Sequence, residues 1–140
     1  MKKLPWFMVL VLTISANFLA VTPRALAAEK VKQSPIIKFD GLAVPIVEDG
    51  QLRQYILVRF YVEASPSDST RTGHIFQKLP YIRDAIVQTA YKSNLGLAGQ
   101  VNALDQDKFR ALVRQSWAQF VSVKDMKRVV ILEIRPGPRL

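Results

Sequence analysis

The alternation of apolar and polar side chains is most regular over residues 54–63. Ile56, Val58, Phe60 and Val62 fall on one side of an extended chain, and aromatic or polar side chains occupy most of the other side. A period of two is what a half-buried strand requires. The sequence therefore predicts a strand here with one face in the core.

The segment before this strand is also predicted to be extended, over residues 34–47, with an interruption at residues 40–41. Pro45 cannot donate a hydrogen bond to a neighbouring strand, which indicates an edge strand or a strand that ends nearby. Asp49-Gly50 stands between the two apolar segments, and this dipeptide is a strong hairpin signal. We therefore expect a turn between the two strands.

Two later stretches have apolar residues at helical spacing. The first is residues 72–92, in which Pro80 either kinks the helix or marks the first turn of a second segment. The second begins at about Asp105, where acidic residues in the first turn suit the helix dipole. The first apolar stripe is Ile75, Leu79, Ile82, Ile86 and Ala90, and the second is Phe109, Leu112, Val113, Trp117 and Phe120.

A last strand is predicted over residues 126–134, and residues 135–138, which include two prolines and a glycine, are predicted to end it. Its centre, residues 129–132, is continuously apolar, which favours burial on both faces and a central place in the sheet. The element order is therefore β-β-α-α-β. This order predicts an α+β domain, with a small sheet of about three strands and two helices packed on one face.

The start of the chain has the pattern of an export segment. Lys2 and Lys3 precede an uncharged, mostly apolar run over residues 4–20, and a small-x-small site then ends at Ala27. This pattern predicts a signal peptide that is cut between Ala27 and Ala28. The alternative is an uncleaved N-terminal apolar helix that anchors the chain, for which the run is slightly short.

Both alternatives give the same domain organisation. Residues 1–27 form the signal peptide or anchor, residues 28–33 a polar connector, and residues 34–140 the α+β domain. The two N-terminal lysines are expected to stay in the cytoplasm in either case. The domain is therefore predicted to lie in the periplasm or at the periplasmic face of a bacterial inner membrane.

The charge of the exported part is moderately basic. The whole chain carries a formal charge of +9, and because Lys2, Lys3 and Arg24 precede Ala28, the remainder carries +6. This charge suits a solvated mixed-charge surface or attraction to an anionic membrane surface. Nucleic acid is excluded as a partner because the chain is exported and has no interleaved basic and aromatic residues. The chain contains no cysteine, which excludes disulfides and thiol chemistry.

No catalytic constellation is visible, so we expect a protein that is not an enzyme and has no catalytic, cofactor-binding or metal-binding residues. His74 is the single histidine, and no pattern places a nucleophile or carboxylate beside it. No glycine elbow frames the loop serines, and the paired acids are explained by a turn and a helix N-terminus. These serines are Ser65, Ser67 and Ser69, and the acids are Glu48, Asp49, Asp105 and Asp107.

Residues 79–87 carry a family resemblance. Their sequence, Leu-Pro-Tyr-Ile-Arg-Asp-Ala-Ile-Val, resembles the helix motif of the FliL family of flagellar basal-body-associated proteins, in which a proline precedes an aliphatic-Arg-Asp-Ala-Ile/Leu stretch. The order of strands and helices over residues 34–135 also resembles that family. Three features depart from its pattern: the leader has a cleavage site and almost no cytoplasmic tail, the connection at residues 93–104 contains glycines, and the end at residues 134–138 extends past the family's usual short finish.

The resemblance implies a stomatin-like periplasmic domain that takes part in bacterial motility and chemotaxis through protein–protein contacts. The implied partners are further copies of the chain, in a ring or other oligomer, together with flagellar stator or basal-body proteins and the inner membrane surface. The alternative is a general periplasmic scaffolding or binding protein with the same fold. Arg83 and Asp84 of the motif are the candidate interaction residues, although solvated helix charges or a cap on a neighbouring loop would explain them too.

Overall fold

The computed structural model describes residues 34–65, 69–100 and 103–139. The predicted N-terminal helix, the Ala27-Ala28 cleavage site and the connector lie outside the described residues. The described elements, in chain order, are β1 (Ile36–Glu48), β2 (Gln51–Ala64), α1 (Ser69–Tyr91), α2 (Gln106–Ala118), a short 3₁₀ turn (Val123–Asp125) and β3 (Met126–Arg139). The α+β class and the β-β-α-α-β order are confirmed.

The first two strands form the predicted hairpin. Glu48 pairs with Gln51 across a two-residue turn, and both turn residues have positive φ angles, 50° at Asp49 and 74° at Gly50. Two consecutive left-handed residues make a type I′ turn, whose twist matches that of the paired strands. The predicted interruption of β1 is an irregularity in the register, between the pairs formed by Phe39 and Leu42.

The three strands form one antiparallel sheet in the order β1-β2-β3. The edge position of β1 agrees with the presence of Pro45. The prediction that the last strand is central was wrong, because β2 lies between its two neighbours. The predicted end at residues 135–138 was also wrong, since β3 continues to Arg139 and pairs with β2 along that stretch.

A bulge explains the continuous apolar run in β3. Val129 and Ile131 face the core, and a register shift then puts Leu132 between two pairs, where it is 56% exposed. Because the bulge adds a residue, Ile134 returns to the core face. The run therefore reflects one buried face with an interrupted period, and not burial on both faces.

Both helices pack against one face of the sheet. Helix α1 is continuous through Pro80, which lies on its exposed side, and it packs against β1, while α2 packs against β3. The rings of Phe39 and Phe60 stack on each other. The Phe60 ring also meets the Phe109 ring of α2 edge to face, with the two ring centroids 5.2 Å apart. Most of each predicted stripe is buried: Ile75, Ile82, Ile86 and Ala90 of α1 and Phe109, Leu112, Val113 and Trp117 of α2. Leu79 and Phe120, the remaining predicted members, are partly buried against the same core.

The described hydrophobic core lies within the domain. Every buried residue of the hydrophobic cluster lies between Ile37 and Val129, and Ile131 and Ile134 pack against it. A fragment that starts at Ala28 contains all of these residues. We therefore expect residues 28–140 to fold as an independent unit.

Candidate functional site

The candidate site is a groove between α1 and the end of α2, which we call the Tyr81 groove. It encloses about 220 Å³, and the segment that carries the family resemblance forms one of its walls. Its lining residues are Tyr81, Asp84, Ala85, Gln88, Thr89, Lys92, Gln119 and Phe120.

Two aromatic rings from different helices form one end of the groove. Tyr81 and Phe120 stack with ring centroids 6.0 Å apart and planes inclined by 30°. Lys78 Nζ lies 5.7 Å from the Tyr81 centroid, within the range of a cation–π contact. Tyr81 is nevertheless 58% exposed, so most of its surface is open to a partner.

The turn after α2 fixes the position of Phe120. Its predicted place on the apolar face of the helix is not correct in detail, because α2 ends at Ala118 and Phe120 belongs to the turn. The Phe120 and Val121 amides both donate to the carbonyl of Trp117, and the Trp117 indole donates to the Ser122 carbonyl at 3.2 Å. Because Trp117 is fully buried, these bonds attach the turn to the core.

Polar groups line the rest of the groove. The Gln88 amide donates to the Asp84 carboxylate at 2.7 Å, which orients this acid within the groove. Lys92 and Gln119 add further donors, and Ala85 is the small buried residue between the polar side chains. An exposed aromatic ring surrounded by polar groups is typical of the contact surfaces that proteins use to bind one another.

The structure separates the two predicted interaction residues. Asp84 lines the Tyr81 groove, but Arg83 does not, because successive residues of an α-helix point about 100° apart. Both side chains are exposed. Sequence reasoning named Asp84 but missed Tyr81, Gln88, Lys92 and Phe120, although an aromatic residue on the polar flank of an amphipathic helix is a signal that could have identified Tyr81.

The remaining candidate groups that the structure describes are dispersed, and Ser67 lies outside the described residues. His74 is exposed on α1, and the Ser65 hydroxyl donates to the Lys124 carbonyl at 2.8 Å. Glu48 and Asp49 belong to the hairpin turn, Asp105 caps α2, and Asp107 lies in its first turn. Among the described residues, no three His, Cys, Asp or Glu side chains form a group that could hold a metal ion.

The sheet face opposite the helices carries ion pairs between neighbouring strands. Glu63 accepts hydrogen bonds from Lys127, at 2.8 Å, and from Arg128, and these two cations hold the pKa of its carboxyl below the usual value. Arg135 and Arg59 likewise lower the pKa of Glu133, and Arg59 also reaches Asp40 at 3.8 Å. Glu63 and Glu133 are therefore ionised at neutral pH and already paired with cations of the neighbouring strands.

A tyrosine pair joins β2 to the last residue of α1. The hydroxyls of Tyr55 and Tyr91 lie 2.5 Å apart, and this hydrogen bond raises the pKa of Tyr91. The pair therefore serves as a structural contact between the sheet and the helix that carries the Tyr81 groove.

No protein-family model matches the chain, and a search of curated proteins found no match. Among the described residues, no helix is long and apolar enough to cross a membrane.

Proposed function

We propose that this chain is a non-enzymatic accessory protein of the bacterial flagellar basal body, which contacts or supports stator units at the periplasmic side of the inner membrane. The proposal begins from the resemblance of residues 79–87 to the helix motif of the FliL family. The β-β-α-α-β order of the domain is the order that this resemblance implies.

The main support for the proposal is that the segment with the family motif has two distinct faces. Ile82 and Ile86 are fully buried in the core, whereas Tyr81 and Asp84 of the same segment line an open groove. The buried positions are explained by packing alone. The exposed tyrosine is not explained by packing, and tyrosines in such settings frequently dominate the energy of protein–protein contacts.

The groove is suited to a segment of a partner protein and not to a small-molecule substrate. At about 220 Å³ it is smaller than the usual range for ligand sites, about 300–1,000 Å³. A partner side chain could pack on Tyr81 and Phe120 while its polar groups bond to Asp84, Lys92 or Gln119. We therefore assign the stator contact or the contact between copies of the chain to this groove.

The binding test uses residues 28–140, with and without the periplasmic part of a stator protein. Cross-linking and light scattering are expected to show self-association, a complex with the stator fragment, or both. A strictly monomeric domain that does not bind the stator fragment would contradict the proposal.

A genetic test separates the motor role from general scaffolding in the envelope, an alternative that the cleavable leader and the glycine-containing connection favour. Deletion of the gene from its motile host is expected to reduce swimming or swarming, and the intact gene is expected to restore it. Normal swimming and swarming in the deletion strain would remove the motor role and leave scaffolding as the better explanation.

A further inference from the structure

At one end of the domain, the start of β1 lies close to the end of β2 and the start of β3. Ile36, at the start of β1, pairs with Glu63 near the end of β2, which in turn pairs with Arg128 near the start of β3. The Ser65 amide donates to the Asp125 carbonyl at 2.8 Å, which attaches the 3₁₀ turn to the same end. We call this region the entry end, and its exposed members are Ile36, Arg71, Val123, Lys124, Lys127 and Arg128.

Two apolar side chains of the entry end, one on each of two elements, are open to solvent. Ile36 is 54% exposed on β1, and Val123 is 39% exposed on the 3₁₀ turn. Neither belongs to the hydrophobic core. Exposed aliphatic side chains close to basic residues are typical of surfaces that enter the interfacial region of a bilayer.

The described side chains of the entry end have an excess of positive charge. Asp125 pairs with Arg71 at 3.4 Å, and Glu63 pairs with both Lys127 and Arg128. These ion pairs place Lys127 and Arg128 around the Glu63 carboxylate, and the two cations lower the pKa of that carboxyl. Lys124 adds a further cation, so four basic residues stand against two acids among the described side chains.

The opposite end of the domain does not share this excess. It contains the β1–β2 turn and the start of α2, where Glu48, Asp49, Asp105 and Asp107 lie. Three of these acids pair with cations: Glu48 with Arg53, Asp105 with Lys108, and Asp107 with Arg110. The domain is therefore polarised along the strand direction, with its basic end where the chain enters.

The sequence that leads into the entry end has the same character. Lys30 and Lys32 precede Ser34, and the uncharged run of residues 4–20 lies further towards the N-terminus. This run is predicted to be an export or anchoring segment, and the entry end is the part of the domain that follows it along the chain.

We propose that the entry end docks on an anionic phospholipid bilayer. Ile36 and Val123 enter the interfacial region, and Lys124, Lys127 and Arg128 contact the lipid phosphates while their aliphatic stems cover apolar surface. This orientation directs the β1–β2 turn away from the membrane. The proposal does not rest on the motor role, since any exported domain with this surface would dock in the same way.

Vesicle sedimentation tests the proposal with residues 28–140, which contain every described residue of the core. We expect binding to phosphatidylcholine vesicles that contain roughly one third phosphatidylglycerol, weak binding to phosphatidylcholine alone, and a loss of binding as salt rises. The double variant Lys124→Gln/Lys127→Gln is expected to bind anionic vesicles about tenfold more weakly. Its matched control, Arg53→Gln/Arg110→Gln, changes the net charge equally at the other end and is expected to remain within about twofold of wild type.

The apolar contribution has its own variant and control. Ile36→Ser/Val123→Ser is expected to weaken binding, whereas Leu132→Ser, which alters an equally exposed residue in the middle of β3, is expected to have little effect. Circular dichroism verifies that each variant is folded. Lys124→Gln alone replaces the double charge variant if the latter fails to fold, because the Lys124 side chain pairs with no described acid.

Absence of binding to anionic vesicles at low salt would overturn the proposal. Equal weakening by the variants and by their controls would overturn it too, because that result indicates attraction of the whole charged domain without a specific face. The vesicles contain no protein, so either result leaves the stator contact to be judged by its own experiment.

Discussion

The ring of Tyr81 on α1 stacks on the ring of Phe120, which lies just beyond the end of α2, with centroids 6.0 Å apart. This contact joins the segment that carries the family motif to the turn that Trp117 attaches to the core. It also leaves more than half of the Tyr81 side chain exposed. Because the contact with Phe120 already holds the half-exposed ring in place, little side-chain entropy is lost when a partner binds to it.

Tyr81→Ala is therefore expected to reduce self-association or stator binding strongly while the domain stays folded. A contact that is central to an interface loses about 2 kcal/mol or more on truncation, roughly a thirtyfold loss in affinity. Cross-linking yield and light scattering measure the effect. Phe76→Ala is the matched control, since Phe76 is a 50% exposed aromatic residue on the same helix outside the groove. Equal losses in both variants would show that the groove is not the contact.

Glu63 is expected to make the stability of the domain depend on pH. Lys127 and Arg128 lower its pKa in the folded state below 4.5, so its ion pairs stabilise the fold fully above that pH. The contribution disappears as the pH falls through the lowered pKa, because the carboxyl is then protonated in the folded state as well. The difference in melting temperature between wild type and Glu63→Gln is thus expected to be largest near pH 7 and to shrink below about pH 4.5. Parallel pH profiles for the two proteins would contradict this assignment.

Two glycines are expected to respond in opposite directions to the same substitution. Gly50 has φ +74° in the hairpin turn, where an L side chain costs about 1–2 kcal/mol. Gly73 is helical and nothing lies within 4 Å of an added Cβ, so alanine there should stabilise α1 by about 0.5–1 kcal/mol. Urea denaturation of Gly50→Ala and Gly73→Ala measures both changes. A stabilised Gly50→Ala variant would rule out the type I′ turn.

Removal of the Ser116 hydroxyl is expected not to destabilise the domain. Its hydroxyl is fully buried on α2 and has no hydrogen-bond partner within the part of the chain that the structure describes. Because an unpaired buried hydroxyl is unfavourable, Ser116→Ala is expected to be neutral or to stabilise the domain by about 1 kcal/mol. Denaturation of the neighbouring core variant Val113→Ala provides the comparison, since that truncation should destabilise. A clear loss of stability in Ser116→Ala would show that the hydroxyl has a partner after all.

The sequence was sufficient for features that depend on neighbouring residues along the chain. The alternation in β2 predicted its buried face, and Asp49-Gly50 predicted the hairpin. Asp105 and Asp107 predicted the start of α2. Each of these follows from a local cause: the side-chain period of a strand, the φ angles of a two-residue turn, or the unbonded amides at a helix start.

Pairing between distant segments was decided by the tertiary structure. The apolar run in β3 gave no sign that a bulge would expose Leu132, so it predicted a central strand where the sheet has an edge. The approach of Phe120 to Tyr81 was invisible for a related reason, since it depends on how α1 and α2 pack on the sheet. Periodicity along the chain reports which face of an element is buried. Which strand lies beside it, and which remote side chains complete its surface, depend on packing between elements that local sequence does not encode.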